Sequence, residues 1–229
     1  MSEDSTPSKL KWILIAVNGI LLLGAIFFVL FVIRPSDHFV AKKLEARGYE
    51  VSYDWCGNTI WQHPTSVVGK DMNMTPEDCR LICQLPRLEA LHFRRGGMSG
   101  LNLDDIGHCQ ELSFISFADI TSFPGYEIRK LAVCPIEYLI LDSVGLTDTD
   151  LEALMIFSQL YYLNLRGNTG ITDAGLEHLV KMPSLDRLEL TKTSVTKEGV
   201  EEFQKKRPDV MVFYGDSRFV FRNGLGVIP

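Results

Sequence analysis

The thiols and imidazoles of this sequence are the groups best suited to chemistry, and their spacing offers little of it. Five cysteines (Cys56, Cys79, Cys83, Cys109 and Cys134) show no repeated C-x-x-C pattern. An odd count excludes a complete disulfide framework and leaves room for one or two bridges. Cys79 and Cys83 stand four apart, which on a helix places both thiols on one face, but a zinc site needs two further ligands. Cysteine is among the most buried residue types, so these thiols read first as small core side chains. Five histidines (His38, His63, His92, His108 and His178) are scattered, with no H-E-x-x-H arrangement. Cys56 and His63 share the least repetitive stretch, and a thiol activated by an imidazole there is the one enzymatic alternative. No G-x-S-x-G, P-loop or G-x-G-x-x-G occurs, and Gly96-Gly97 and Gly167-Asn-Thr-Gly170 read as turns. The expectation is a protein without catalysis, cofactor, metal or evident small-molecule substrate.

Charge and composition narrow the partners. A formal net charge of −6 argues against a nucleic-acid binder, which normally carries a basic stripe. Apolar residues reach 46% of the 229, too many for a disordered chain. A protein partner is the remaining expectation.

One segment reads as a membrane anchor. Trp12 to Ile33 is an apolar run of 22 residues broken only by Asn18, and about 20 such residues span a bilayer core. Lys9, Lys11 and Trp12 mark one interface, and Arg34-Pro35 marks the other. A cleaved leader has a shorter apolar region and small residues at the cut, whereas Arg34-Pro-Ser-Asp-His38 follows here. The run is therefore read as an uncleaved, single-pass helix. Its flanking charges (Lys9 and Lys11 against Arg34, Lys42, Lys43 and Arg47) leave the orientation open, because large domains cross membranes largely regardless of charge.

The elements that would position any functional side chain come from a repeat. The frame L-x-x-L-x-L recurs at Leu88, Leu91, Phe93; Leu112, Ile115, Phe117; Ile136, Leu139, Leu141; Leu160, Leu163, Leu165; and Leu185, Leu188, Leu190. Successive units are 24 residues apart three times and 25 once. Each has a second half, as in Gly-Leu146-Thr-Asp-Thr-Asp-Leu151-Glu-Ala-Leu154 and Gly-Ile171-Thr-Asp-Ala-Gly-Leu176-Glu-His-Leu179. Residues Thr75, Ser99, Thr147, Thr172 and Thr196 stand where a helix N-cap belongs, and Pro76 falls at a first helical position. The spacing predicts a strand then a helix per unit, stacked into an α/β solenoid with a parallel sheet inside and helices outside. The unit of Leu112 is irregular: Pro124 and Gly125 predict a longer loop before a short helix.

The ends are atypical, as the ends of repeat arrays must be. A helix from Asp37 to Arg47 stopping at Gly48 and a strand from Tyr49 to Asp54 are expected before the repeats, and Val210 to Phe213 as a last edge strand after them. The organisation predicted is a tail (1–11), an anchor (12–33), a juxtamembrane segment and cap (34–73), repeats (74–213) and a tail without motif (214–229). The (Ile/Val/Leu)-Thr-Asp-x-Gly-Leu-x-x-Leu frame resembles the cysteine-containing or GALA-like class of leucine-rich repeats. The stretch Lys42 to Asp54 resembles the cap of membrane-anchored bacterial proteins of this kind, especially those of planctomycetes. That resemblance covers roughly residues 38–213 and implies an interaction module.

Alternation then selects a surface. With the leucines pointing into the core, the residues between them face the concave side. These are Ala90, His92, Arg94; Phe114, Ser116, Ala118; Tyr138, Ile140, Asp142; Tyr162, Asn164, Arg166; and Arg187, Glu189, Thr191. Phe114, Tyr138, Tyr162 and Arg187 take the first place in successive units. Together with Arg166, Asn164 and His92 they are the expected partner-binding residues, since aromatics and arginine dominate binding hot spots. Cross-strand aromatic pairing that merely stabilises the sheet explains the same pattern. Asp142 and Arg166 are expected to form a surface ion pair. A structural role in a membrane complex or homo-oligomer, through the helical face, is the alternative to partner capture.

Overall fold

The computed structural model describes residues 35–55, 62–97, 103–107, 109–121, 123, 125–215, 219–222 and 225–227. The apolar run 12–33, Cys56, Ser99, His108 and Pro124 lie outside them. Among the described residues no helix is long and apolar enough to cross a membrane.

Among the described residues the strands form one ten-stranded sheet in sequence order. Helix α1 (Pro35–Ala46) precedes an antiparallel pair, β1 (Glu50–Trp55) and β2 (Gln62–Lys70). From β2 onward neighbours run parallel: β3 (Ala90–Gly97), β4 (Phe114–Thr121), β5 (Tyr138–Asp142), β6 (Tyr162–Asn164), β7 (Arg187–Glu189) and β8 (Met211–Tyr214). The parallel sheet thus begins inside the segment read as a cap. Crossovers carry α2 (Pro76–Ile82), α3 (Leu103–Ile106), a 3-10 helix (Gly125–Val133), α4 (Asp148–Leu154), α5 (Asp173–Leu179) and α6 (Lys197–Lys206). The 3-10 helix stands where Pro124 and Gly125 depart from the repeat pattern.

The repeat frame explains the packing directly. Leu91, Ile115, Leu139, Leu163 and Leu188 are fully buried and stack in one layer, while the side chains between them stay half-exposed. Helix residues Cys79, Leu103, Leu151, Leu176 and Val200 face them across the core. A leucine buried this way contributes roughly 1.5–3 kcal/mol, and its neighbours above and below come from adjacent units.

How the helices start differs along the array. Thr75 and Thr147 donate their amides to an acid three residues on, Asp78 and Asp150, at 2.8 and 2.9 Å. In α5 and α6 that place is held by Gly175 and Gly199. There the N-cap threonine turns to the preceding unit: the amide and hydroxyl of Thr172 donate to Asp148 at 2.8 and 2.6 Å. Those of Thr196 donate to Asp173 at 2.7 and 2.6 Å. A Cβ at Gly175 or Gly199 would collide with these carboxylates. The Asp of each Thr-Asp pair therefore serves the next unit, and the last helix begins with Lys197 instead.

One residue of left-handed backbone recurs per unit from β2 to β7, inside β3 and β4 and just after the strand or a few residues beyond it in the others. Asp71, Arg95, Asp119, Ser143 and Lys192 have φ between 52° and 58°, and Gly167 fills the same column at 73°. Beside it the buried side chain of Asn168 accepts the amides of Val144, Gly145 and Leu146 at 2.9–3.1 Å. It donates in turn to the carbonyls of Leu141 and Leu165 at 2.7 and 2.8 Å. One amide group thus welds two units.

Both ends are closed by charge as well as by apolar contact. At the start, Val40, Ala41 and Leu44 of α1 cover the core, Gly48 ends the helix at φ 96°, and Arg47 reaches Asp78 at 2.5 Å. At the finish, Arg207 donates to the carbonyls of Met182 and Leu185 at 2.5 and 2.9 Å. The expectation that Val210 to Phe213 is an edge is corrected here. Strand β8 pairs antiparallel with β9 (Phe219–Arg222), which pairs with β10 (Leu225–Val227), so the tail extends the sheet. Short apolar stretches on both sides of the Asn223-Gly224 dipeptide, Phe219-Val-Phe221 and Leu225-Gly-Val227, are the sequence signal for it.

Candidate concave binding face

Parallel register brings the expected residues into files that cross the strands. Phe114 is opposite Tyr138, Tyr138 opposite Tyr162, and Tyr162 opposite Arg187, with Ala90 and Met211 continuing the file at either side. The rings of Phe114 and Tyr138 stack at 5.9 Å and 16°. Tyr138 and Tyr162 are 6.4 Å apart, and His92, in the neighbouring file, lies 4.7 Å from Phe114. Such pairs contribute to sheet stability, yet Tyr138 remains 37% exposed.

The file is one wall of an open groove of about 510 Å³ lined by Phe114, Tyr138, Tyr161, Tyr162, Arg187, Glu189 and Phe213. Tyr161 was not among the expected residues, because it precedes the strand rather than alternating within it. Its ring sits 5.9 Å from Tyr138, and the Arg187 guanidinium lies 5.8 Å from its centre. Glu189, expected on the concave face but not among the binding residues, and Phe213, which was not expected there, complete the groove. Their signal was present, since both occupy the second alternating place of a strand.

Titration behaviour sets the charge pattern. A hydrogen bond to Asp186, reinforced by burial, pushes the Tyr161 phenol above its ordinary value. Burial, helped by the charge of Glu189, does the same for Tyr162. Burial lowers His92 from the ordinary histidine value and so favours its neutral ring. The groove thus offers neutral rings with one guanidinium and one carboxylate at its end.

The remaining expected residues are less available. The side-chain oxygen of Asn164 accepts the Arg166 amide at 2.9 Å. Arg166 lies 3.7 Å from Asp142, as the ion-pair reading expected, and also donates to the Thr191 hydroxyl at 3.1 Å. Placing Thr191 on the concave face is corrected: it is fully buried, because β7 ends at Glu189 and the Thr191 amide turns back to the Glu189 carboxylate at 2.8 Å. His92 lines a second groove of about 250 Å³ with Val68, Lys70 and Arg94.

The thiols and the His63 region offer less chemistry. Cys79, Cys83, Cys109 and Cys134 carry no disulfide, and no cluster of His, Cys, Asp or Glu among the described residues could hold a metal. A hydrogen bond with Cys83 lowers the Cys109 thiol below its usual value, and burial pushes Cys134 up to about 11. His63 is buried with its Nδ1 3.3 Å from Asp37.

The sheet and stacked crossovers define a leucine-rich-repeat solenoid of the α/β kind, on the geometry of the chain itself. No protein-family model matches the chain. No curated protein matches it either. Among solved structures it is similar to an internalin from Listeria monocytogenes at 16% identity, covering 60% of this chain and 37% of that one, with a TM-score of 0.43. It is also similar to a leucine-rich-repeat protein from Leptospira interrogans at 21% identity, covering 58% and 33%, with a TM-score of 0.43. A third is the leucine-rich-repeat ectodomain of a receptor kinase from Arabidopsis thaliana, at 14% identity, 79% and 91% coverage and a TM-score of 0.33. The similarity covers about a third of the length of the first two structures.

Proposed function

We propose that this chain is a non-catalytic interaction module, tethered to a membrane through 12–33, whose concave face recognises a protein partner. The observation that supports it most is the file of Phe114, Tyr138 and Tyr162 running onto Arg187 beside an open groove. Amphipathic rings on a rigid sheet lose little entropy on binding, and an arginine at their edge adds directional hydrogen bonds.

Replacing Tyr138 by a photo-crosslinking residue in the full chain, in its native membrane, identifies what lies on this face. The same product is then sought with a crosslinker at Tyr161 in Tyr162→Ala and Tyr138→Ala/Tyr162→Ala variants. Anchors of this kind are worth about 2 kcal/mol each in alanine scans, about thirtyfold in affinity, so the product should vanish in the double variant. An undiminished product from a correctly folded double variant rejects the concave face. Protease accessibility in intact and opened cells assigns the side of the membrane.

A second reading draws on the opposite side. Val133 and Ile156 are 73% and 51% exposed and flank a groove between the third and fourth crossovers. Assembly through this helical face would make the domain a structural subunit or homo-oligomer. A detergent-solubilised oligomer broken by Val133→Asp/Ile156→Asp and untouched by the tyrosine variants would favour it.

A further inference from the structure

Helix α1 carries two stripes, and the repeats use only one. Asp37, Val40, Ala41 and Leu44 recur at i, i+3, i+4 and i+7 and turn toward the protein. Phe39, Lys42, Lys43 and Ala46 recur at the same spacing and are exposed. Phe39 is 61% exposed, and the Lys43 ammonium sits 4.7 Å over its ring. No acid belongs to this outer stripe. Of the helix's two acids, Asp37 pairs inward with His63 at 3.3 Å. Glu45 accepts from the Tyr53 hydroxyl at 2.8 Å and from Lys42 at 3.0 Å.

The place of this helix in the chain gives the stripe an occupant. A single residue, Arg34, separates the end of the apolar run at Ile33 from the first residue of α1, Pro35. With two chain steps of at most about 3.5 Å and four helical steps of about 1.5 Å, Phe39 lies at most roughly 13 Å from the end of that run. A helix continuing along the membrane normal would carry Phe39 past a headgroup layer of roughly 5–8 Å, whereas a helix turned into the bilayer plane keeps it beside that layer and within reach of its surface potential. An aromatic ring flanked by lysines is the composition of helices that lie in such an interface, with the lysine stems spread along it and the ammonium groups in water.

We propose that α1 lies along the surface of the bilayer that anchors the chain, with Phe39 set among the headgroups and Lys42 and Lys43 facing anionic lipid. The proposal rests on the reading of 12–33 as a membrane anchor. Lipid contact by α1 is then an intramolecular event, so a weak surface affinity suffices to hold it. Because α1 is packed on β1, β2 and α2, a docked α1 orients the whole solenoid relative to the membrane.

The test uses the full chain reconstituted in vesicles of phosphatidylcholine with phosphatidylserine. These contain a photoactivatable lipid whose reactive group sits high on its acyl chain, and adducts are mapped by mass spectrometry. Adducts at and around Phe39 are expected, weakened about fivefold per lysine in Lys42→Gln and Lys43→Gln and in vesicles without phosphatidylserine. Phe39→Glu should abolish them while circular dichroism and vesicle flotation stay unchanged. Three outcomes would overturn the proposal and are distinguishable. A chain that resists alkaline extraction, with adducts in 12–33 and none in α1, keeps the anchor and rejects the docking. A chain extracted by alkali rejects the anchor and the docking with it. Cross-links from Phe39 to a second protein chain in place of lipid would assign the stripe to a protein and also overturn it.

Discussion

The two ends of the solenoid start their helices with the same residue and spend it differently. At the N-terminal end Thr75 closes a box with Asp78 of its own helix, so that cap is complete within one unit. Toward the C-terminal end Thr172 and Thr196 reach back to Asp148 and Asp173, so each cap joins two units. A local cap fixes where a helix begins, whereas a borrowed one also fixes how far apart consecutive units stand. The borrowed caps thus add polar bonds between units where the sequence is most regular, while at the N-terminal end Arg47 of α1 adds its own to Asp78.

That contrast can be broken at its strongest point. Asn168→Ala should remove about 3 kcal/mol or more, because it strands the buried amides of Val144 and Leu146, the half-buried amide of Gly145 and two carbonyls at once. Urea unfolding would measure it, and a loss below about 1 kcal/mol would show that the units are not coupled through this side chain.

The borrowed caps come next. Asp173→Ala and Gly199→Ala each attack the same bond, one by removing the carboxylate and the other by crowding it. Each should cost about 1–2 kcal/mol, and the double variant should cost less than their sum. Additive losses measured in a double-mutant cycle would mean that the two residues act separately.

Acid separates the ends a third way. Burial raises the Asp78 carboxyl, but the Thr75 hydroxyl and amide and the Arg47 guanidinium outweigh it, and the group titrates below its ordinary value. A carboxyl depressed by folding contributes stability above its unfolded value of about 4, and that contribution disappears as pH falls through the folded value. Acid titration should therefore destabilise the parent more than Asp78→Asn, followed by hydrogen exchange in α2. Equal pH dependence of the two proteins would remove Asp78 from this role.

The smallest effect lies in the left-handed column. Ser143→Gly should stabilise by up to about 1 kcal/mol, since glycine adopts that backbone freely and its gain in unfolded entropy offsets part of the relief. Thermal melts would detect it as a rise of a few degrees at most.

Much of this was legible from spacing. The leucines at fixed intervals give strand, direction and buried face together, because period two within a strand and a repeat of about 24 between strands leave one way to stack. Thr75, Thr147, Thr172 and Thr196 are readable as caps for the same reason. The destination of Asp148 and Asp173 was not, since a carboxylate beside a threonine looks like part of its own cap until the neighbouring unit is in place. The left-handed column was hidden because only Gly167 in it is a glycine. On the concave face, register made Phe114, Tyr138, Tyr162 and Arg187 legible as a file. Tyr161 was not, because its ring enters the groove from outside the alternating strand. Thr191 was misread because the strand stops two residues before it.

Lys197 has a consequence for adding a further unit of the same kind after α6. Every earlier Thr-Asp pair leaves a carboxylate for the unit that follows, and the last helix offers an ammonium in its place. The relay of borrowed carboxylates thus ends at α6, and a unit stacked on it would find none for its N-cap. A designer wishing to lengthen it would begin by writing Lys197→Asp ahead of a copied unit.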